Sequence, residues 1–76
     1  MNKLRRQQIA DIISQLEELL SKIEDLQYEE QEYFDNMPES FQYGEKGTKA
    51  EAAIDEMQNA IDGINDIISN LESASE

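Results

Sequence analysis

The residues with the most evident chemical potential are carboxylates set three or four apart: Asp25 with Glu29, Glu29 with Glu32, Glu51 with Asp55, and Asp62 with Asp66. On a helix such spacings put two acids on one face, where they can share a proton or a cation. Either task needs a sheltered cleft and usually a partner group of another type. The chain has no histidine, so the commonest general base and the Glu-x-x-His pairing of di-iron bundles are both missing. It has no cysteine, which excludes a disulfide, a zinc thiolate and a thiol nucleophile. Calcium-loop spacing does not occur. The run Gly44-Glu45-Lys46-Gly47-Thr48-Lys49 faintly suggests a phosphate loop, but Walker spacing is missing and Glu45 opposes phosphate. The acids are therefore expected to form a solvated face, with no catalytic residue, no metal and no cofactor.

Composition alone leaves folding open. Seventeen of 76 residues are Ile, Leu or Phe, there is no Val, and the net charge is −12. That is close to the balance at which chains stay disordered, so only the arrangement of the apolar residues can decide. Charge is uneven along the chain. Residues 1–10 carry +3 from Lys3, Arg5 and Arg6, residues 11–34 carry −7, residues 35–49 carry −1 and residues 50–76 carry −7. Such a body repels nucleic acid and anionic membrane and attracts basic protein surfaces. No apolar run reaches the roughly 18–20 residues of a membrane span. The basic start lacks a following apolar segment and cleavage site. A cytoplasmic protein is expected.

The elements that must hold these acids are helices. Ile9, Ile12, Leu16, Leu19, Ile23, Leu26 and Tyr33 recur at alternating steps of three and four, with one gap at Glu30, and Ile13 and Leu20 widen the stripe. This predicts a first helix over about 2–35. Pro38 ends it near Asp35, because helical geometry at Met37 is disfavoured. A connection over about 36–48 follows, in which Asn36 and Glu39 can cap one short helical turn ending at a left-handed Gly44. Phe34, Met37, Phe41 and Tyr43 in this region are expected to fold over the open end of the hairpin core. Thr48 and Glu51 form a capping-box pattern that starts a second helix over about 49–73, with 74–76 frayed. Its stripe is Ala50, Ala53, Met57, Ala60, Ile64, Ile67, Leu71 and Ala74, widened by Ile54, Ile61 and Ile68. Gly63 interrupts it, either for a close approach at an interface or as a tolerated surface glycine. The fold expected is all-α: an antiparallel two-helix hairpin in one domain.

The run EEQEYFDNMPESFQYGEKGTKAEAAIDEM, residues 29–57, resembles a block in small acidic helical-hairpin proteins of bacteriophages and mobile elements, roughly E-x-Q-E-x-(aromatic)-D-N-M-P-E-x-(L/F)-Q. It covers a third to a half of the chain. The resemblance implies a phage-like origin, hence a bacterial host cytoplasm, and a helical hairpin. It implies no mechanism.

Each stripe is wider than a two-helix seam requires, which predicts a homodimer forming a four-helix bundle, or a higher oligomer. The face assigned to self-association, or else to a foreign partner, is Ile13, Leu20, Ile54, Ile61 and Ile68. The acidic face is Asp25, Glu29, Glu32, Glu51, Asp55, Asp62 and Asp66. With helices of about 26 residues, roughly 39 Å long, the acidic segments carry one net charge per about 3 Å. A side-by-side dimer would approach one per about 1.5 Å, near the roughly 1.7 Å of duplex DNA. The reading that follows is a non-enzymatic binding protein that acts on protein partners. It could mimic nucleic acid and inhibit a host defence or nucleic-acid-handling protein, without binding nucleic acid itself. Two alternatives stand beside it. One is an oligomeric sponge holding an anionic nucleotide between Arg5 and Arg6 of one copy and Tyr43, Lys46 and Lys49 of another; the other is a plain structural or adaptor hairpin.

Overall fold

The computed structural model describes residues 1–76 as three helices and no strand: α1 over Lys3–Asp35, α2 over Glu39–Gln42 and α3 over Glu45–Ala74. Helices α1 and α3 lie antiparallel, and α2 closes one end. The result is a rod of 58 × 15 × 12 Å. Its radius of gyration is 17.3 Å, against about 11 Å for a compact chain of this length. No helix is long and apolar enough to cross a membrane.

Each boundary has a local cause. The Asn2 side chain caps α1, its Oδ1 accepting from the Arg5 amide at 2.8 Å. Pro38 keeps an extended backbone (φ −56, ψ 145) and stands at the start of α2, a position where its missing N–H costs nothing. The short turn anticipated between the long helices is therefore present, but Pro38 rather than Asn36 begins it. Gly44 is not left-handed: with φ −95 and ψ −169 it is the extended residue at the head of α3. Helix α3 consequently begins at Glu45 instead of near 49, and the Thr48 capping box does not form. The Thr48 hydroxyl and amide both donate to the Gly44 carbonyl, each at 3.1 Å. An earlier start is favoured because Glu45 then complements the positive helix end.

Gly47 makes this corner feasible. It is buried, and a Cβ there would overlap the Gln42 carbonyl and main chain. The Gln42 side chain in turn donates to the Phe34 carbonyl at 3.1 Å, so α2 is fastened to both long helices. Of the loop apolar residues, Phe34 and Met37 are half-buried. Phe41 is half exposed and Tyr43 is 83 % exposed, so the expected apolar cover is only partial.

The seam between α1 and α3 is formed by half-buried Ile9, Ile13, Leu16, Leu20, Ile23, Gln27 and Phe34 against Ala50, Ile54, Met57, Ile61, Ile64, Ile68 and Leu71. Only Ala50 and Ile61 are buried to 2 % and 6 % exposure among the apolar residues. This corrects the assignment of the outer face. Ile13, Leu20, Ile54, Ile61 and Ile68 turn inward, while Ile12, Leu19, Leu26 and Tyr33 remain 46–56 % exposed. A hairpin can bury one column per helix. On α3 the choice lies between three isoleucines and a column of Ala53, Ala60, Ile67 and Ala74. Burying the isoleucines removes more apolar area from water, so α3 is rotated accordingly.

Substituting Gly47→Ala should lower unfolding free energy by about 1–3 kcal/mol, the range for overpacking a tight contact. Denaturant titration followed by circular dichroism measures it. An unchanged midpoint would show that α2 does not rest on Gly47.

Candidate functional site

The surface offers an acidic exterior, two shallow grooves and an uncovered apolar stripe. Asp25, Glu29, Glu32, Glu51, Asp55, Asp62 and Asp66 are all exposed, and nowhere do three acids come together to hold a metal ion. Their partners are mostly neutral. Three glutamines donate to an aspartate four residues on: Gln7 to Asp11 at 3.2 Å, Gln31 to Asp35 at 3.0 Å and Gln58 to Asp62 at 3.0 Å. Such pairs support a helix by a few tenths of a kcal/mol while leaving the negative charge in place. The one ion pair is Lys49 Nζ to Glu45 at 3.1 Å, with both side chains largely exposed.

The first groove lies beside the seam and is lined by Glu24, Gln27, Tyr28, Gln31, Ile54 and Gln58. Here the apolar seam is interrupted. Gln27 Nε2 donates to the Ile54 carbonyl at 3.2 Å and to Gln58 Oε1 at 3.0 Å, and Gln58 passes the chain on to Asp62. A polar cross-link of this kind fixes which residues face each other along a heptad seam. Gln27 is not among the stripe residues read from the sequence. Its position one residue after Leu26, in step with Ile13 and Leu20, was the available signal. Tyr28, exposed at the groove edge, has its phenol held above the ordinary 10.0. The causes are hydrogen bonding to the Glu32 side chain, then the charge of that carboxylate, then slight desolvation.

The second groove, at the closed end, is lined by Tyr33, Asn36, Met37, Pro38, Phe41 and Lys46. The Lys46 ammonium sits 5.5 Å from the centre of the Phe41 ring, a cation–π distance. The nucleotide site considered from sequence is not assembled within one chain. Arg5 and Arg6 are near the start of α1, whereas Tyr43, Lys46 and Lys49 lie at the opposite end of a 58 Å rod. Lys46 and Lys49 are moreover engaged with Phe41 and Glu45. Gly63 has nothing within 4 Å of the place a Cβ would occupy, so no close approach exists there within the chain.

The stripe Ile12, Leu19, Leu26 and Tyr33 repeats every seven residues along one side of α1. On α3 the matching column is half-buried Ala53 followed by exposed Ala60, Ile67 and Ala74. Comparison with protein families, with curated proteins and with solved structures found no match.

Because the Tyr28 phenol is raised in the fold, its contact with Glu32 stabilises the protein fully below pH 10.0 and is lost as pH rises through the folded-state value. In a background lacking the Tyr33 and Tyr43 hydroxyls, ultraviolet titration should show Tyr28 ionising above 10.0. Glu32→Ala should return it toward that value; an identical titration curve in the variant would exclude Glu32 as the cause.

Proposed function

We propose that this chain is a non-enzymatic binding protein of bacteriophage type that acts by protein–protein contact. It self-associates into a four-helix bundle and presents an acidic surface to a basic partner. The partner class that best suits this surface is a protein that handles nucleic acid, whose basic groove the acidic rod would occupy, as an inhibitor of host defence would. The observation that carries the reading is the state of the acids. The sequence holds 18 acidic residues, yet a single ion pair forms, and glutamine amides take the place of cations. A surface built only for solubility gains from mixed signs. This one keeps its negative field.

The field is weaker than the sequence estimate. Twelve net charges over 58 Å give one per about 5 Å, and two chains side by side give one per about 2.4 Å, against about 1.7 Å for duplex DNA. The difference arises because the helices run to 33 and 30 residues, not 26, and include the basic start. The match to nucleic acid is one of sign and rod shape, with a charge density somewhat lower.

Immobilised protein exposed to bacterial lysate should capture a basic partner at low salt and release it both at high salt and on adding duplex DNA. A partner retained under both conditions would mean an apolar adaptor instead. Without any partner, added salt should raise the melting temperature, since screening relieves repulsion among exposed acids. A melting temperature that falls with salt would contradict the unpaired state of those acids.

A further inference from the structure

We infer that the stripe Ile12, Leu19, Leu26 and Tyr33 is covered by a second copy of this chain, stacked face to face with its closed end at the opposite end of the bundle. The inference rests on the self-association proposed above and specifies its surface and direction.

Every outer residue immediately precedes a seam residue. On α1 the pairs are Ile12 and Ile13, Leu19 and Leu20, Leu26 and Gln27, Tyr33 and Phe34; on α3 they are Ala53 and Ile54, Ala60 and Ile61, Ile67 and Ile68, Ala74 and Ser75. One residue is about 100° of helix rotation, so both outer columns stand off the seam by the same angle and in the same sense along the chain. Because α1 and α3 are antiparallel, equal rotations in sequence become mirror rotations in space, and the two columns lie on one face of the hairpin. That face is large-sided on α1 and small-sided on α3.

A hairpin with one continuous apolar face needs a single flat cover. The accessible surface is 5724 Å², about 1,000 Å² more than the roughly 4,700 Å² expected of a compact protein of this mass. That excess reflects the rod shape; the 58 × 15 Å outline of one face is itself on the order of the ~800 Å² that each partner contributes to a standard interface.

Two stackings are compatible with a twofold axis, and charge separates them. The open end, residues 1–10 and 66–76, has three cations and three acids; the closed end, residues 29–51, has seven acids and two cations. With closed ends together, the most acidic regions are neighbours. With closed ends opposed, each meets a neutral end, and Lys3, Arg5 and Arg6 lie along the acids near the end of the partner's α1. The second arrangement also has one centre. The α1 stripe is centred between Leu19 and Leu26, and Ala60 is the residue of the α3 column nearest that level. Gln27 bonds to Ile54 and Gln58 across the seam, which sets the midpoint of the first stripe opposite about residue 60 when counted along antiparallel helices. A single axis therefore pairs Leu19 with the partner's Leu26, Ile12 with the partner's Tyr33, and Ala60 with the partner's Ala60.

The chain has no cysteine, so single cysteines report pairing cleanly. Light scattering should give twice 8.7 kDa. A short thiol–thiol cross-linker should join Ala60→Cys to itself and Ile12→Cys to Tyr33→Cys in a mixture, but not Ile12→Cys to itself. Normal mass with Ile12→Cys joined to Ala74→Cys or Ile67→Cys, and no Ala60→Cys dimer, would overturn the opposed stacking while leaving self-association intact. A mass of 8.7 kDa throughout, with no cross-linking by any variant, would overturn both. Leu19→Asp, exposed in the single chain, should halve the mass while circular dichroism stays helical; a dimer surviving that change would place the interface elsewhere.

Discussion

Two rods side by side can hide only one column of each, and this constraint governs the rest of the molecule. The apolar residues of α1 and α3 form two adjacent columns, and the hairpin seam takes one. On α3 what it takes is decided by area: Ile54, Ile61 and Ile68 outweigh Ala53, Ala60, Ile67 and Ala74, while α1 sets Ile13, Leu20 and Gln27 opposite them. The remaining column is then exposed by geometry, whatever its chemistry. With just three residues buried, a single hairpin of this length stands at the edge of independent stability. The exposed column and the thin core are thus one fact seen twice.

Electrostatics works against the same core. Like charges along both helices favour expansion, and a designer seeking stability would have interleaved lysines at i+4. Here Asp11, Asp35 and Asp62 are each partnered by a glutamine four residues earlier. The amide satisfies an oxygen and costs no negative charge. Cations are instead concentrated at the start of α1, and at Lys46 and Lys49 in the first turns of α3, where Lys46 rests over Phe41 and Lys49 pairs with Glu45. The long sides of the rod are left acidic, the property on which the proposed basic partner rests.

The helices were legible because their signal is periodic and redundant: fourteen or more apolar positions agree on a 3.6-residue repeat, and Pro38 marks the break. What was not legible depends on smaller differences. Ile12 and Ile13, or Ala60 and Ile61, are neighbours about 100° apart, and either column satisfies a heptad reading. Their assignment required comparing areas across the partner helix. The start of α3 was misplaced because Thr48 and Glu51 match a cap in sequence. The competing start at Glu45 depends on Gly47 accepting the Gln42 main chain, a contact between residues five apart that no periodicity announces. Arg5 and Arg6 were grouped with Tyr43 across two copies, a pairing that a single chain does not display.

Gln27 shows why the interruption in the seam belongs to the design of the whole. Columns that repeat every seven residues can slide by seven and meet again: Ile54, Ile61 and Ile68 would serve almost equally one heptad along. Apolar burial alone therefore discriminates poorly between registers. The corner through α2, held by the Gln42 bond to the Phe34 carbonyl and the close approach at Gly47, fixes the register, and Gln27 reinforces it by donating to the Ile54 carbonyl and Gln58. The same register brings the midpoint of the α1 stripe level with Ala60 of the α3 column. A polar residue that weakens the core of one chain thereby helps to set the flat face on which a second chain could close.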